Sequence, residues 1–186
     1  GGREFSALLD GAPADLGTEQ DLHHLLQTQT FAIPAFAHQG GPFMAQQGYV
    51  LRTGQRCELQ AIKAAGRSAL AALYCAQMTA WLVQCLRPET YDGPATGSRM
   101  LVVEGPLARN QLCMGYTCFA SVDELEGTAR GAWLLSRWNG ESHVSSAPDT
   151  PSFLQAVRPS NMSGLHEYHQ RWVALVAGQA SAAMRP

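Results

Sequence analysis

The sequence predicts an α/β fold in which helices cover a sheet. Three observations lead to this prediction: a long alanine-rich helical stretch at 58–86 and two β-prone runs at 100–103 and 118–122. Helices that alternate with strands along a chain are typical of a sheet with helices packed on it. Because a two-stranded sheet rarely sustains a domain, we expect the remaining strands to come from sequence outside this chain or from a partner.

The composition is that of a globular protein, and the length suits one domain or one large half of a two-domain enzyme. Of 186 residues, 46% are hydrophobic and 15% are charged, which allows a sizeable core. Lys and Arg number 13 and Asp and Glu 15, and the formal charge of −2 argues against nucleic acid or an anionic membrane as a partner. The sequence has no apolar run of about 18 residues, as a membrane span requires, and no leader at its start. We therefore expect a soluble, cytoplasmic protein.

The cysteines predict neither disulfide bonds nor a metal site. Their number is odd and no CxxC pair occurs, whereas disulfide frameworks and zinc sites need paired cysteines at short spacings. The five are Cys57, Cys75, Cys85, Cys113 and Cys118. We expect reduced and mostly buried thiols.

A short helix is predicted near the start of the chain. Thr18 is a suitable N-cap for a helix over Glu19–Gln27. His23 and His24 lie on this helix without further metal ligands nearby in the sequence. We expect both to be at the surface or half-buried.

The stretch 31–49 is predicted to be irregular. Its apolar start, 31–37, is either a short strand or an extended segment, and the proline within it restricts it to an edge or a loop. The glycine pair at 40–41 lacks the Lys-Ser/Thr of a phosphate-binding loop. We interpret it as a turn that places Phe36 and Phe43 in the core.

The strongest helical signal is the stretch 58–86. Its apolar residues recur every three or four positions, alanine dominates, and Pro88 ends it. Between 70 and 86, apolar residues lie on nearly every face, which predicts a helix buried in the middle of the fold. Cys75 and Cys85 are then expected to be buried, slowly reacting thiols.

Three further helices are predicted. One begins near Pro106, because proline suits the first turn of a helix, one covers 128–138, and the last covers 165–176. The packing face of the last helix is expected to consist of Tyr168, Trp172, Leu175 and Val176. His166 and His169, three apart on the same helix, are expected to face solvent.

The sharpest functional candidate is the turn 104–110, where a strand end meets a helix N-terminus. Ligands of open α/β sheets bind at the carboxyl ends of strands, and the free N–H groups of a helix N-terminus favour anions such as phosphate. Gly105 would allow a ligand to approach the backbone, and Asn110 offers an amide donor and acceptor one turn later. From these residues alone, a tight turn that binds nothing remains an alternative.

A second glycine-containing turn, 126–132, follows the second predicted strand. Gly127 and Gly131 are four residues apart, which permits close packing, and a ligand contact by Thr128 is the alternative. The carboxylates at 123–126 suit the start of a helix better than acid–base catalysis. No Gly-x-Ser-x-Gly nucleophile elbow is present, and we assign no catalytic residue.

At these residues the chain resembles the C-terminal nucleotide-binding domain of the FGGY carbohydrate kinases, in the sugar-kinase and actin superfamily. Three features carry the resemblance. They are the alanine-rich helix with Ala71-Ala72-Leu73-Tyr74, the strand and turn LVVEGPLARN at 101–110, and the helix GTARGAWLL at 127–135. The second is similar to the family's adenosine motif, with Pro106 in place of a second glycine. The opening GREF at 2–5 and the segment from Gly164 to Trp172 are also similar to segments of the family, and with them the resemblance covers nearly the whole chain.

The resemblance implies a ribonuclease-H-like core and one domain, 1–186, the C-terminal half of a kinase. Such an enzyme transfers the γ-phosphoryl group of ATP, with Mg²⁺, to a hydroxyl of a sugar or polyol. The resemblance assigns nucleotide binding to Gly105, Pro106, Asn110, Gly127 and Thr128. The family's sugar-binding domain and catalytic aspartate are expected outside this chain, and the chain alone is then inactive.

Two other functions compete with this interpretation. One is a non-catalytic actin-like module that binds nucleotide or a partner. The other is a Rossmann-like dinucleotide domain that uses Gly105, which the absence of Gly-x-Gly-x-x-Gly spacing disfavours. A homodimer is left open.

Overall fold

The computed structural model describes residues 2–15, 17–37, 43, 46–85, 101–103, 118–121, 154–157 and 162–183. Within these ranges the helices are α1 (Gly2–Leu9), α2 (Glu19–Gln27), α3 (Ala64–Cys85) and α4 (Leu165–Ala183), with a short 3-10 helix at Leu59–Ala61. The strands are β1 (Phe31–Ile33), β2 (Tyr49–Arg52), β3 (Gln55–Cys57), β4 (Leu101–Val103), β5 (Cys118–Ser121) and β6 (Leu154–Val157). No helix within this part of the chain is long and apolar enough to cross a membrane.

The chain divides into two compact units. The first comprises Gly1–Tyr91 and Asn161–Pro186, and the second comprises Asp92–Ser160. Among the described elements, the first unit contains the four helices and β1–β3, and the second contains β4–β6. The mixed helix and sheet content agrees with the predicted α/β class. Four strands of this chain, β1–β3 and β6, were not predicted as strands with certainty or at all, and the expectation that sequence outside the chain completes the sheet stays a prediction.

Helix α1 was not expected from the sequence. Its apolar residues Phe5, Leu8 and Leu9 are buried and form one face, and α1 packs on α3. Phe5 and Leu8 are three residues apart and Leu9 follows directly, which is the spacing of an apolar stripe on a helix. With only eight residues in the helix, this pattern is too short to predict it from the sequence. Asp10 and Gly11 follow with φ of 45° and 80°, left-handed conformations that end the helix.

Helix α2 confirms the prediction at both ends. The side chain of Thr18 accepts a hydrogen bond of 3.1 Å from the Asp21 amide, and the Asp21 carboxylate accepts one of 3.1 Å from the Thr18 amide. This reciprocal pair is a capping box, in which each residue satisfies a free amide at the start of the helix. His23 is half-buried and His24 is exposed, as predicted.

The first sheet is antiparallel, in the order β1-β2-β3. Phe31 lies opposite Leu51, and Arg52 lies opposite Gln55. The apolar segment after residue 30 is therefore a strand at the edge of a sheet, one of the two predicted alternatives. Within the stretch 34–48 the described residues, 34–37, 43 and 46–48, form no helix or strand, as predicted, and β2 begins at Tyr49.

The hairpin of β2 and β3 has a two-residue turn that the sequence did not reveal. Thr53 and Gly54 form this turn, and their φ angles are 49° and 80°. Two positive φ values are typical of the type I′ turn, whose backbone twist matches that of the two strands it joins. Asn-Gly or Asp-Gly is the usual sequence of this turn. A threonine in the first position disfavours this conformation, which is why the hairpin was not predicted.

The aromatic residues around the predicted glycine turn have different degrees of burial. Phe43 is buried, and its ring lies 5.1 Å from that of Trp81. Phe36 is half-buried, with its ring 5.8 Å from that of Tyr74 in an edge arrangement. The core position is thus confirmed for Phe43 and is only partial for Phe36. The glycine pair at 40–41 lies outside the described residues.

Helix α3 is the centre of the first unit. Every residue from Ser68 to Gln77 is buried, and α1, α2, β1 and α4 all contact the helix. Its side chains also anchor the preceding chain, because Arg67 donates to the carbonyl of Leu9 at 3.1 Å and Ser68 donates to that of Pro13 at 2.7 Å. The all-round burial predicted from the apolar pattern is therefore confirmed for this half of the helix.

The last two turns of α3 contradict the same prediction. Leu82 is 39% exposed, and Cys85 is exposed. Apolar residues on every face allow a helix to be buried, but the elements packed around it decide how far along its length it is covered. The helix also begins later than predicted, because Leu59–Ala61 forms a 3-10 turn and Ile62 has extended backbone angles before Ala64.

Helix α4 packs with a stripe that differs from the predicted one in two residues. Tyr168, Trp172 and Val176 are buried as expected, whereas Leu175 is 37% exposed and His169 is only 6% exposed. At about 100° per residue, His169 and Leu175 each lie roughly 60° from Trp172, on opposite sides of the stripe, and α3 covers the side of His169. The predicted solvent position of His169 is therefore wrong, and that of His166, which is exposed, is confirmed.

Two side chains of α4 bind the backbone around β1. The hydroxyl of Tyr168 donates to the carbonyl of Thr30 at 2.5 Å, and the indole of Trp172 donates to the carbonyl of Ala32 at 2.8 Å. The ring of Tyr168 also stacks on Phe31 at 4.3 Å. Because buried polar groups are costly without partners, these bonds fix both the position and the orientation of α4 on β1.

The second sheet has the order β4-β5-β6. Strands β4 and β5 are parallel, with Val103 opposite Ala120, and β5 and β6 are antiparallel. Both predicted β-prone runs are thus strands, whereas β6 was not predicted. The helices predicted from Pro106 and over 128–138 lie outside the described residues.

Candidate functional site

The parallel pair of β4 and β5 creates the setting in which α/β proteins bind ligands. Since the two strands are parallel and in register, their carboxyl ends, Val103 and Ser121, lie at the same edge of the sheet. Ligands of open α/β sheets occupy the crevice outside such ends. The segment 104–110, for which a turn is predicted, directly follows β4 in sequence, and the segment 126–132 follows β5 after four residues.

A carboxylate links three elements of the first unit. Glu4 of α1 accepts hydrogen bonds from the amides of Phe36 and Ala37, both at 2.9 Å, and from the hydroxyl of Tyr74 at 2.8 Å. The chain after β1 is thereby held to α1 and α3 at one point. Hydrogen bonds to a charged acceptor are stronger than those between neutral groups.

The phenol of Tyr74 serves as a donor in this cluster and is unsuited to proton transfer. Burial, and then the neighbouring Glu4 carboxylate, raise the pKa of Tyr74 well above its usual range. The phenol therefore keeps its proton at neutral pH. A structural role follows for the Glu4–Tyr74 pair.

A second polar cluster lies between α3 and α4. The Nδ1 atom of His169 bonds to Oε1 of Gln77, and its Nε2 atom lies 3.2 Å from Nε2 of Gln84. Burial, followed by the nearby His166, lowers the pKa of His169 below its ordinary value. This imidazole is neutral at pH 7.

A cavity of about 460 Å³ lies between α2 and the start of α3. Its polar lining includes Arg52, Lys63, His24 and Asp21. The Thr18 hydrogen bonds lower the pKa of Asp21, which keeps a negative charge beside the cations. Mixed charge and exposed lysine and histidine side chains do not single out a ligand class for this cavity. The described residues also contain no group of three or more His, Cys, Asp or Glu side chains placed to hold a metal ion.

Comparison with known proteins identifies the family. Residues 1–143 match the family described as carbohydrate kinase FGGY, C-terminal domain. The chain belongs to this family. The match covers most of the chain and includes both strands of the parallel pair and the turns that follow them.

A solved structure shares the fold of this FGGY domain. A carbohydrate kinase from Novosphingobium aromaticivorans superposes with a TM-score of 0.58 over 94% of this chain, at 17% sequence identity. At this identity the likeness shows the fold alone. The chain corresponds to 36% of the length of that kinase. A comparison with curated protein sequences gives no significant match.

The nucleotide-binding residues predicted for the FGGY domain lie outside the described residues. They are Gly105, Pro106, Asn110, Gly127 and Thr128. What the structure does describe is the strand that ends two residues before Gly105 and the parallel strand beside it. The assignment of these five residues therefore stays a prediction.

The two polar clusters were missed when the sequence was read. His169 could have been found, because it lies four residues after Leu165 and three before Trp172, within the apolar stripe of the last helix. No sequence pattern of this kind indicates the role of Glu4. Its partners are 32, 33 and 70 residues away in sequence, and short-range patterns carry no information on such contacts.

Proposed function

We propose that this FGGY domain binds ATP in a carbohydrate kinase that transfers the γ-phosphoryl group to a hydroxyl of a sugar or polyol. The family match over residues 1–143 is the observation that carries the proposal. The parallel strands β4 and β5 support it, since their carboxyl ends share the edge where nucleotides bind in such sheets. The proposal includes a ribonuclease-H-like core and a cytoplasmic location, where ATP is available.

In this proposal the turn after β4 holds the adenosine end of ATP. Gly105 and Pro106 would let the nucleotide approach the backbone, and Asn110 would bind it through its amide group. Gly127 and Thr128, after β5, would form the other side of the site. Free backbone amides at a helix start would face the phosphates.

Phosphoryl transfer depends mostly on positioning and on neutralisation of charge. Mg²⁺ would enter with the nucleotide as part of the substrate and would neutralise charge on its phosphates. The residue that activates the sugar hydroxyl and the sugar site itself are assigned to parts of the enzyme outside this chain. Closure of the two parts around the substrates would exclude water and limit ATP hydrolysis.

Calorimetry with ADP and with ATP tests the proposal on the chain of 186 residues and on the full-length enzyme. We expect weak nucleotide binding by the chain and no sugar-dependent release of ADP. The full-length enzyme should bind more tightly and release ADP when the correct sugar is present. Absence of nucleotide binding by the full-length protein would exclude the kinase function, and NAD binding would favour a dinucleotide domain. Rapid sugar-dependent ADP release by the short chain would place the catalytic residues within it.

A further inference from the structure

The contact between α3 and α4 contains a titratable group for which the described part of the chain provides no charged partner. His169 is 6% exposed, and both of its ring nitrogens face glutamine side chains of α3. We propose that His169 is a pH-sensitive latch that holds α4 on α3 while the imidazole is neutral and weakens that contact when the imidazole takes up a proton. The latch consists of His169, Gln77 and Gln84.

The hydrogen bonds fix the tautomer of the latch. The Oε1 atom of Gln77 can only accept, and Nδ1 of His169 therefore carries the proton. Nε2 of the imidazole then has a lone pair, which accepts from the amide nitrogen of Gln84 at 3.2 Å. Both nitrogens of the neutral ring are satisfied, which makes this form suited to a buried position.

A second proton would enter at Nε2 and face the Gln84 amide nitrogen, which is also a donor. Gln84 is exposed, and rotation of its amide group would remove this conflict. The charge would still be buried without a carboxylate, because the α3 sequence from 68 to 85 contains no Asp or Glu. Burying a charge without an ionic partner is unfavourable.

Among the described residues that pack around His169, none supplies a compensating negative charge. On α3 the titratable residues of the contact region are Tyr74, Cys75 and Cys85, and β1 has none. Glu4 is engaged by Tyr74 and by two backbone amides. On α4 itself, Glu167 and Arg171 are exposed, and His166 one turn earlier disfavours a positive charge at His169.

Release of the latch would act on the edge of the first sheet. The same helix binds β1 through Tyr168 and Trp172, which are buried with it. When α4 separates from α3, its histidine titrates with the ordinary pKa near 6.5. The released form therefore binds more protons than the packed form below this pH. The free energy that holds α4 on α3 is therefore fully present above about pH 6.5 and decreases as the pH drops below this value.

Hydrogen exchange of α4 amides in the full-length protein, read by mass spectrometry between pH 7.5 and 5.5, tests the latch. After correction for intrinsic exchange rates, we expect the opening constant of α4 to rise by up to about tenfold. The His169→Asn variant retains a donor at the position of Nδ1 and should lose this pH dependence. The matched control is His166→Gln, an exposed histidine on the same helix, which should retain most of it, because burial is the larger cause of the lowered pKa of His169.

For a further variant we expect the pH dependence of α4 opening to have the opposite sign. In Gln84→Glu a carboxylate would lie beside Nε2 and favour the protonated imidazole, and α4 should then open less at pH 5.5 than at pH 7.5. Equal pH dependence in wild type and His169→Asn would overturn the proposal. If His169→Asn does not fold, an NMR titration of His169 in the wild type decides. A pKa at or above 6.5 would overturn the latch, and a lower value would support it.

Discussion

The hydroxyl of Tyr74 donates a hydrogen bond of 2.8 Å to the carboxylate of Glu4, 70 residues earlier in the chain. The same carboxylate accepts two backbone amides from residues 36 and 37. One acidic side chain thus joins the first helix, the long central helix and the segment after the edge strand. This arrangement makes Glu4 a shared hydrogen-bond acceptor for two other segments of the first unit.

Removing either partner should destabilise the first unit by different amounts. We expect Tyr74→Phe to lower the free energy of unfolding by about 1–2 kcal/mol, because one bond to a charged acceptor is lost. Glu4→Ala should lower it by about 2–4 kcal/mol, because two amides and a phenol lose their partner. Urea denaturation measures both effects. In the Glu4→Ala background, Tyr74→Phe should have a smaller effect, and fully additive effects would show that the pair does not interact.

Gly17 should tolerate no side chain. Its φ is 68°, and a Cβ atom built on it would lie 2.5 Å from Cβ of Ala69 on α3. We expect Gly17→Ala to lower the free energy of unfolding by about 2–4 kcal/mol, from backbone strain and overpacking together. Gly11→Ala is the matched control, since φ is 80° there and a Cβ would meet nothing within 4 Å. Its effect should be about 1 kcal/mol, and equal effects at both glycines would contradict the close approach to α3.

Leu73 and Leu82 test how far along its length α3 is buried. Leu73 is 0% exposed and Leu82 is 39% exposed. Leu73→Ala should lower the free energy of unfolding by roughly 2–5 kcal/mol, the usual range for a buried leucine. Leu82→Ala, on the same helix, should change it by about 0.5 kcal/mol. An unchanged melting temperature in Leu73→Ala would mean that this half of the helix is not in the core.

Cys75 and Cys85 should react with thiol reagents at very different rates. Burial, the largest cause, raises the pKa of Cys75 to about 11, whereas Cys85 is exposed. At pH 8 about a thousandth of Cys75 is thiolate, and the reagent has little access to it. We therefore expect fast labelling of Cys85 and slow labelling of Cys75, measured by peptide mass spectrometry. Both should react at similar rates in urea, and fast labelling of Cys75 in the native protein would contradict its burial.

Elements with local signals were predicted well from the sequence. Thr18 and Asp21 are three residues apart and define the start of α2 by themselves. The β-prone runs that became β4 and β5 are continuous in sequence, although their parallel pairing depends on contacts that no local pattern encodes. For the same reason, the exposure of Leu82 and Cys85 could not be predicted from the apolar pattern alone, since neighbouring elements decide it.

The candidate site was predictable only through its family. Gly105 and Asn110 in a turn after a strand are weak signals by themselves, because tight strand–helix turns often contain glycine for purely structural reasons. The order and spacing of the motifs identified the FGGY family, and the match over residues 1–143 confirms that assignment. The described structure adds the parallel partner strand, which places the ends of β4 and β5 at one edge.

Gly105 should control the affinity for ATP in the full-length enzyme. Gly105→Val would place a β-branched side chain where the nucleotide is proposed to approach the backbone. We expect the KM for ATP to rise by about tenfold or more, equivalent to roughly 1.4 kcal/mol of binding free energy, with little change in the KM for the sugar. Steady-state kinetics with each substrate varied in turn measures both constants.

The matched control for Gly105→Val is Gly178→Ala on α4. A Cβ at Gly178 would meet nothing within 4 Å, and the substitution should leave both KM values unchanged. Asn110→Ala provides a second arm, because loss of its amide group should raise the KM for ATP without altering that for the sugar. Unaltered ATP kinetics in both Gly105→Val and Asn110→Ala would place the nucleotide away from the turn after β4. A parallel rise of both KM values would instead indicate damage to the fold, which the melting temperature of each variant would reveal.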